Sequence, residues 1–270
     1  MVELLQDRRA ALVIAHPGHE LRVYHWLSMA RPRVFILTDG SGHSGQPRLE
    51  RTTNILASLN IQAGSVYGRL TDAEVYSAIL AGDLDCFIGL AAELAAAFVR
   101  HRIEYVAGDA LEGYNPTHDV CRFLINAAVR MAGEQGQRVD NYEVPLAYRP
   151  HPDAGQTTEG AITIVADEEM QSRKLSAARE YSELAGDVNG ILEQEGADSL
   201  RTEWLRRVLE TEPENLFKER PFYEIHGANQ VAAGRYRQLI RYRDHVLPIA
   251  AGLRRLAASE GLAQLASSNY

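Results

Sequence analysis

The chain holds 270 residues, 46% of them hydrophobic, with a formal net charge of −8 at pH 7. That length supports one large domain, or a domain with an extension, around a sizeable core. The acidic balance excludes a nucleic-acid groove, which needs clustered Lys and Arg, and fits a small or neutral substrate better.

In chain order, "MVELLQDRRA" lacks the basic start and apolar stretch of a secretory signal. No run approaches the ~18 apolar residues of a membrane helix; even "GLAAELAAAFV" is interrupted by Glu93. A cytoplasmic protein with no membrane or nucleic-acid partner is therefore expected. Strands are expected at "ALVIA" (11–15), "RVFILTD" (33–39) and "EYVAG" (104–108), continuous apolar or β-branched runs of the kind covered on both sheet faces. "VPLA" (144–147) and "AITIVAD" (161–167) add two more. Helices are expected near 20–30, 49–60, 72–81, 84–101 and 116–132. The last has a clear start: Asn115 as N-cap, Pro116 at the first helical position and Asp119 in the first turn. Cys86 and Cys121, the two cysteines, read as small buried hydrophobes in a reducing compartment. From about 168 onward charged amphipathic helices dominate, around a loop expected at "TEPENLFKERPFYEIHGANQ" (211–230).

This alternation predicts an α/β fold: a Rossmann-like, mostly parallel sheet with helices on both faces and a helical C-terminal extension. Residues 1–185 would form the core and 186–270 the extension packed on it, as one continuous domain or two. The composition shift at "RPHPDAGQTTEG" (149–160) reads as a loop.

In open α/β sheets, ligands gather beyond the carboxyl ends of the strands. His16 directly follows the first strand, Thr38-Asp39-Gly40 ends the second, and Asp109, Glu112 and His118 follow the third long run. These polar residues thus fall on one edge. His16 and His19 stand at i, i+3 across a loop and the start of a helix, where both rings can reach one ion. His118 arrives from the first turn of another helix. Three imidazoles with one position open form the donor set of a catalytic zinc or another divalent metal. Taken singly, each is more often an ordinary surface or core histidine.

The loop "GSGHSG" (40–45) formally matches a dinucleotide fingerprint, and "GHSGQ" (42–46) sits one residue short of a nucleophile elbow. Gln46-Pro47 keep the first from passing straight into a helix, and Ser44 lies several residues beyond the strand end. A surface loop beside the site is the plainer reading.

"VIAHPGHE" (13–20) resembles the AHPDDE signature that opens the PIG-L/LmbE family of zinc-dependent N-acetylglucosaminyl deacetylases. "TDGSG" (38–42) looks like its T-x-G-x-x-G loop and "RTTNILASLNI" (51–61) like its arginine-led helix. "GYNPTHDVC" (113–121) resembles its H-P-D-H block and "RKLSAAREY" (173–181) its later Lys-x-x-Ala helix. The resemblance covers about residues 1–185. It implies His16, His19 and His118 as first, second and third zinc ligands, and Arg51 near the substrate. It also implies attack of metal-bound hydroxide on an amide, the N-acetyl group of an amino sugar or glycoside. Such a small molecule is the expected partner, and the oligomeric state stays open.

The chain departs from that pattern in four places. His19 stands where the family has an aspartate ligand, and Gly18 where it has its aspartate base. Asn115 replaces the first histidine of the H-P-D-H block, and Thr117 its aspartate. A neutral ligand leaves the ion more positive and favours bound hydroxide, yet the leaving amine still needs a proton. Glu20, Asp39, Asp109, Glu112 and Asp119 lie on the same edge, and Asp109 and Glu112 are preferred because their loop delivers His118. Each has a plainer role: Glu20 and Asp119 at helix N-termini, Asp39 in a turn, Glu112 in solvent. In "FYEIHGANQV" (222–231), an extended Glu224 and His226 point the same way, and a loop holding His226 could supply the missing acid or base. A solvent-facing His226 is the plainer reading. Tyr114 and Asn115 could donate hydrogen bonds to a forming oxyanion. The alternative to a hydrolase is a non-catalytic sugar- or partner-binding descendant that lacks the general base.

Overall fold

The computed structural model describes residues 7–42, 45–146, 161–181, 193, 196, 200–209 and 212–256. Its strands are β1 (Ala10–Ile14), β2 (Arg33–Thr38), β3 (Ala63–Leu70), β4 (Tyr105–Asp109), β5 (Asp140–Val144), β6 (Ile162–Val165) and β7 (Thr202–Arg207). The helices are α1 (Tyr24–Ala30), α2 (Leu49–Ser58), α3 (Asp72–Ala81), α4 (Leu84–Arg100), α5 (Pro116–Glu134), α6 (Glu168–Glu180) and α7 (Phe222–Ala232). A last helix, α8, covers 247–256.

One seven-stranded sheet runs in the order β3-β2-β1-β4-β5-β7-β6. β1 to β5 pair in parallel, and β7 lies antiparallel to both β5 and β6. Successive side chains of a strand point to opposite faces, so each continuous apolar run feeds two cores. Ala11, Val13, Phe35, Leu37 and Val106 pack against α4 and α5. Leu12, Ile14, Val34, Ile36 and Tyr105 pack against Trp26 and Leu27 of α1 and Leu56 of α2. The protein is therefore a Rossmann-like α/β fold with helices on both faces of the sheet.

The chain leaves β1 toward β2 and β3, then returns past β1 to β4 and β5. Strand order reverses between β1 and β4, and such a reversal opens a crevice at the carboxyl ends of the strands. The HPGH turn begins there.

Beyond the expected helices, the C-terminal part also supplies a strand. β7 enters the sheet, and Tyr223, Ile240, Tyr242, Val246, Ile249 and Leu253 join the core around α4 and α5. Residues on both sides of the expected 185/186 boundary thus share one sheet and one core. The stretch expected to be helical over 20–30 divides in two. A 3-10 turn, His19–Val23, leads into α1, because Val23 leaves helical space at φ −129, ψ 33. Val23 caps nothing. Glu203 of β7 does so instead, accepting from the backbone N–H of His25 and of Trp26, each at 3.0 Å. Lys174 Nζ, at 2.8 Å, balances that carboxylate.

The loop expected over 211–230 contains α7, which follows Pro221 and buries Tyr223 and Gly227, one turn apart. β3 was not expected: only Val66 of its eight residues is buried, so no apolar run marks it. β5 meets the strand expected at 144–147 only at Val144, and Ala147 lies outside the described residues, as do 149–160, His43 and Ser44. Cys86 and Cys121 are free thiols, and Cys121 is buried. Among the described residues, no helix is long and apolar enough to cross a membrane.

Candidate metal centre

Two separate segments, the HPGH turn and the start of α5, bring histidines to the crevice. His16 lies just past β1, His19 opens the 3-10 turn, and His118 sits in the first turn of α5. Gly18 between the first two has φ 107, a left-handed conformation that glycine alone adopts freely. Gly40, just past β2, lets the next loop close on this turn: a Cβ there would meet Pro17 Cδ at 2.8 Å.

The ring centroids of His16 and His19 are 5.3 Å apart, those of His16 and His118 5.1 Å, and those of His19 and His118 4.5 Å. The rings meet edge to face, at 87°, 63° and 84°. Carboxylates stand behind two of them. Asp72 Oδ1 lies 2.8 Å from His16 Nδ1, beside Thr38 Oγ1 at 2.7 Å. Both oxygens of Asp109 lie 3.0 Å from His19 Nδ1. Asp109 Oδ2 also accepts the backbone N–H of Ala15 at 2.7 Å. Arg122, buried in α5, donates to the Asp109 carbonyl at 2.6 Å and brings a positive charge beneath this buried anion.

Five buried polar atoms here, Asp72 Oδ1, His118 Nδ1, Thr117 Oγ1, Asp119 Oδ2 and Tyr223 Oη, have no hydrogen-bond partner, although Asp72 Oδ1 keeps its 2.8 Å contact with His16 Nδ1. Buried groups in folded proteins are nearly always paired, so their clustering sets this edge apart. Burial lowers the pKa of His16, helped by the charge of His19 and opposed by Asp72. Burial pushes His118 well down, with His19 and His16 adding to it. Both are thus neutral imidazoles at neutral pH, the form that binds metal. Burial alone would raise the Asp72 carboxyl, but its bonds to His16, Thr38 and the Gly42 N–H hold it well below the usual range.

Three imidazoles are a donor set that a divalent cation takes. A ring whose nitrogen sits about 2.1 Å from an ion has its centre roughly 3.2 Å away, so rings at tetrahedral to right angles lie roughly 4.5–5.2 Å apart. Two of the measured spacings, 4.5 and 5.1 Å, fall in that range, and the third, 5.3 Å, lies just beyond it. The donor atoms themselves are not closed on one point: among the described residues, no group of three or more His, Cys, Asp or Glu is placed so that it could hold a metal ion. The unpartnered His118 Nδ1 supplies a free donor inside the cluster.

The other expected site residues fall in varied places. Asp109 lies against His19, fully buried and engaged on both oxygens, which makes it a support for that ring and no free base. Glu112 Oε2 accepts the Leu146 N–H at 3.0 Å, so it ties down the loop after β5. Asp119 Oδ1 takes the N–H groups of Glu112 and Gly113, and burial pushes its carboxyl up to about 7. Glu20 accepts the Gly18 N–H at 2.6 Å and faces Thr52 and Tyr181, on the side of the turn away from Asp109. Asp39 accepts from Ser41 N–H in a turn, as its plainer reading expects.

Asn115 caps α5 by accepting the Thr117 N–H at 2.8 Å, and its side chain also meets Tyr76. Tyr114, 52% exposed, stacks on Phe222 at 5.1 Å, with planes 3° apart. Arg51 stands exposed in the first turn of α2. His226 does not fold over the histidines. It is exposed on helix α7, not in an extended loop, and the rings of Phe222 and Tyr114 stand between it and His118. Glu224, turned away from it, accepts the Tyr242 N–H at 2.6 Å.

Sequence reasoning missed Asp72 and Tyr76. Thr71 forms a capping box with Glu74, which starts α3 just after β3 and sets Asp72 at the sheet edge. The motif T-D-A-E marks that start, but without β3 nothing placed it beside His16. Tyr76, one turn further along α3, is pushed up to about 12 chiefly by burial.

Fold and site together define an α/β protein with a histidine centre at the reversal point of a Rossmann-like sheet. No family model matches the chain, and no curated protein matches it. A solved structure, that of the conserved protein TT1542 from Thermus thermophilus, is similar at 15% identity with a TM-score of 0.45. The match covers 76% of this chain and 97% of that one. A likeness of that size carries no argument about activity.

Proposed function

We propose that this protein is a divergent metal-dependent hydrolase of the PIG-L/LmbE kind, acting on an amide. Its substrate class is an N-acetylated amino sugar or glycoside, and zinc or another divalent ion is its cofactor. One observation carries the reading: the two imidazoles of the HPGH turn and a third from the start of α5 gather at the sheet edge with centroids 4.5–5.3 Å apart, the scale of rings around a shared ion. His16, His19 and His118 would hold the cation. Bound there, it supplies Lewis acidity toward a carbonyl and lowers the pKa of coordinated water.

The chain's own groups define what remains. The α5 N-terminus beside His118 offers partial positive charge to a forming oxyanion. Tyr114 and Phe222 form one exposed wall beside His118. Asp119 alone among the acidic candidates combines an unpartnered oxygen with a carboxyl raised to about 7, the range in which proton transfer at neutral pH is efficient.

Purified protein should carry stoichiometric zinc, and the triple variant H16A/H19A/H118A should carry none. Equal metal content in the two would overturn the reading.

The second reading, a descendant that binds a sugar or partner without turning it over, is supported by Gly18 at the family's base position and by the engagement of Asp109 and Glu112. Binding of N-acetylglucosamine by calorimetry without released acetate favours it. Release of acetate favours the hydrolase.

A further inference from the structure

We infer that Asp72 and Asp109 are positioning residues that fix the tautomers of His16 and His19, so that both rings present Nε2 to a cation. The inference rests on the metal reading above and names residues of that same site.

The argument is proton accounting. His16 Nδ1 faces Thr38 Oγ1 at 2.7 Å and Asp72 Oδ1 at 2.8 Å. The Thr38 hydroxyl has acceptors for its own proton in the Ala15 carbonyl, at 3.1 Å, and the Asp72 carboxylate, and an ionised carboxylate only accepts. Both neighbours are acceptors, so Nδ1 carries the hydrogen. His19 Nδ1 faces the two oxygens of Asp109 at 3.0 Å each, with Arg122 bound to the same residue's carbonyl. The same reasoning puts a hydrogen on that Nδ1. In an imidazole that carries its hydrogen on Nδ1, the lone pair lies on Nε2.

Neither carboxylate can swing away. Asp109 is held by the Ala15 N–H at 2.7 Å, and Asp72 Oδ2 by the Gly42 N–H at 2.5 Å. These bonds tie ring orientation to three strand ends: β1 through Ala15, β2 through Thr38 and Gly42, and β4 through Asp109. The charge balance follows as well. A divalent cation held by these imidazoles would have two carboxylates one ring away, which raise the basicity of the ligands.

Nitrogen-15 NMR of the histidine side chains in the metal-free full chain tests this directly, with the His16→Gln and His19→Gln variants assigning the signals. Both rings should show the Nδ1–H tautomer, the less common form of a free imidazole. The Nε2–H form at either ring overturns the inference for the carboxylate behind it. Asparagine offers an N–H as well as a carbonyl, so Asp72→Asn and Asp109→Asn release the tautomer. Each should weaken zinc or cobalt binding by about 10- to 100-fold in competition titrations. Unchanged affinity in both variants also overturns it. Should Asp109→Asn fail to fold, the wild-type spectrum and Asp72→Asn still decide. Expected tautomers in a protein that takes up no zinc would sink the hydrolase reading and leave the carboxylate assignment standing.

Discussion

Glu203 on β7 and Asp109 on β4 are both carboxylates with almost no solvent exposure, yet they meet different partners. Glu203 accepts from two backbone N–H groups and from the ammonium of Lys174. Its counter-charge is permanent, and it closes the open end of α1. Asp109 accepts one backbone N–H and faces an imidazole whose charge is not permanent. The first arrangement fastens a helix. The second aims a ring. A buried acid on its own therefore says little about function until the group opposite it is known.

The sharpest way to break the comparison is Glu203→Ala. It leaves Lys174 buried without its partner and the first N–H groups of α1 unsatisfied, and removing one member of a buried pair costs about 3–5 kcal/mol. Urea unfolding should show a loss of that order; a loss below about 1 kcal/mol would mean the pair fastens nothing.

Asp119 tests the site side by pH. Burial raises its carboxyl from 3.8 to about 7, against the pull of the Gly113 and Glu112 N–H groups. The folded state keeps a proton that the unfolded state has released, so stability is lost as pH climbs from about 4 to about 7. Asp119→Asn still accepts those N–H groups and has no charge to bury. Above that window it should exceed the wild type by on the order of 2 kcal/mol, and below it the two should converge. Denaturation curves across the window that keep a constant offset would contradict this.

Gly18→Ala forces a Cβ into a left-handed turn and should cost about 1–2 kcal/mol. It should lower zinc affinity too, since the turn spaces His16 from His19. A variant as stable as the wild type would show that the turn relaxes to another conformation. The same strain bears on Gly18→Asp: an aspartate at the family's base position would have to reshape the turn first.

The smallest effect is expected at the rim. Phe222→Ala removes the partner of Tyr114, a stack worth about 0.5–1 kcal/mol. Calorimetry should record a slight drop in melting temperature with zinc content unchanged.

What could be read from the sequence follows burial. β1, β2 and β4 are covered on both faces, so each leaves a continuous apolar run, and Asn115-Pro116 announces α5 by cap chemistry alone. β3 lies at an edge with Gly64, Gly68 and Arg69 in it, and β7, "TEWLRR", carries Glu203 inward beside charged neighbours; neither leaves an apolar run. The histidines could be placed because they follow strands that could be seen. Asp72 could not, because its strand is the hidden one. Asp109 could be singled out as a residue but not given its role, which depends on a ring ninety residues away in sequence. His226 was misplaced with its segment, which was expected as a loop, while Tyr223 and Gly227, buried one turn apart, belong to a helix.

β7 slots between β5 and β6 although it is translated after both, and Glu203 reaches a helix 178 residues earlier in the chain. On the ribosome α1 is made first and waits, uncapped, for the last of the described strands to emerge. Through that interval the far edge of β5 lacks its neighbour, the kind of surface that nascent-chain chaperones shield. The HPGH turn sits directly ahead of α1, so the final setting of its histidines waits on the same strand.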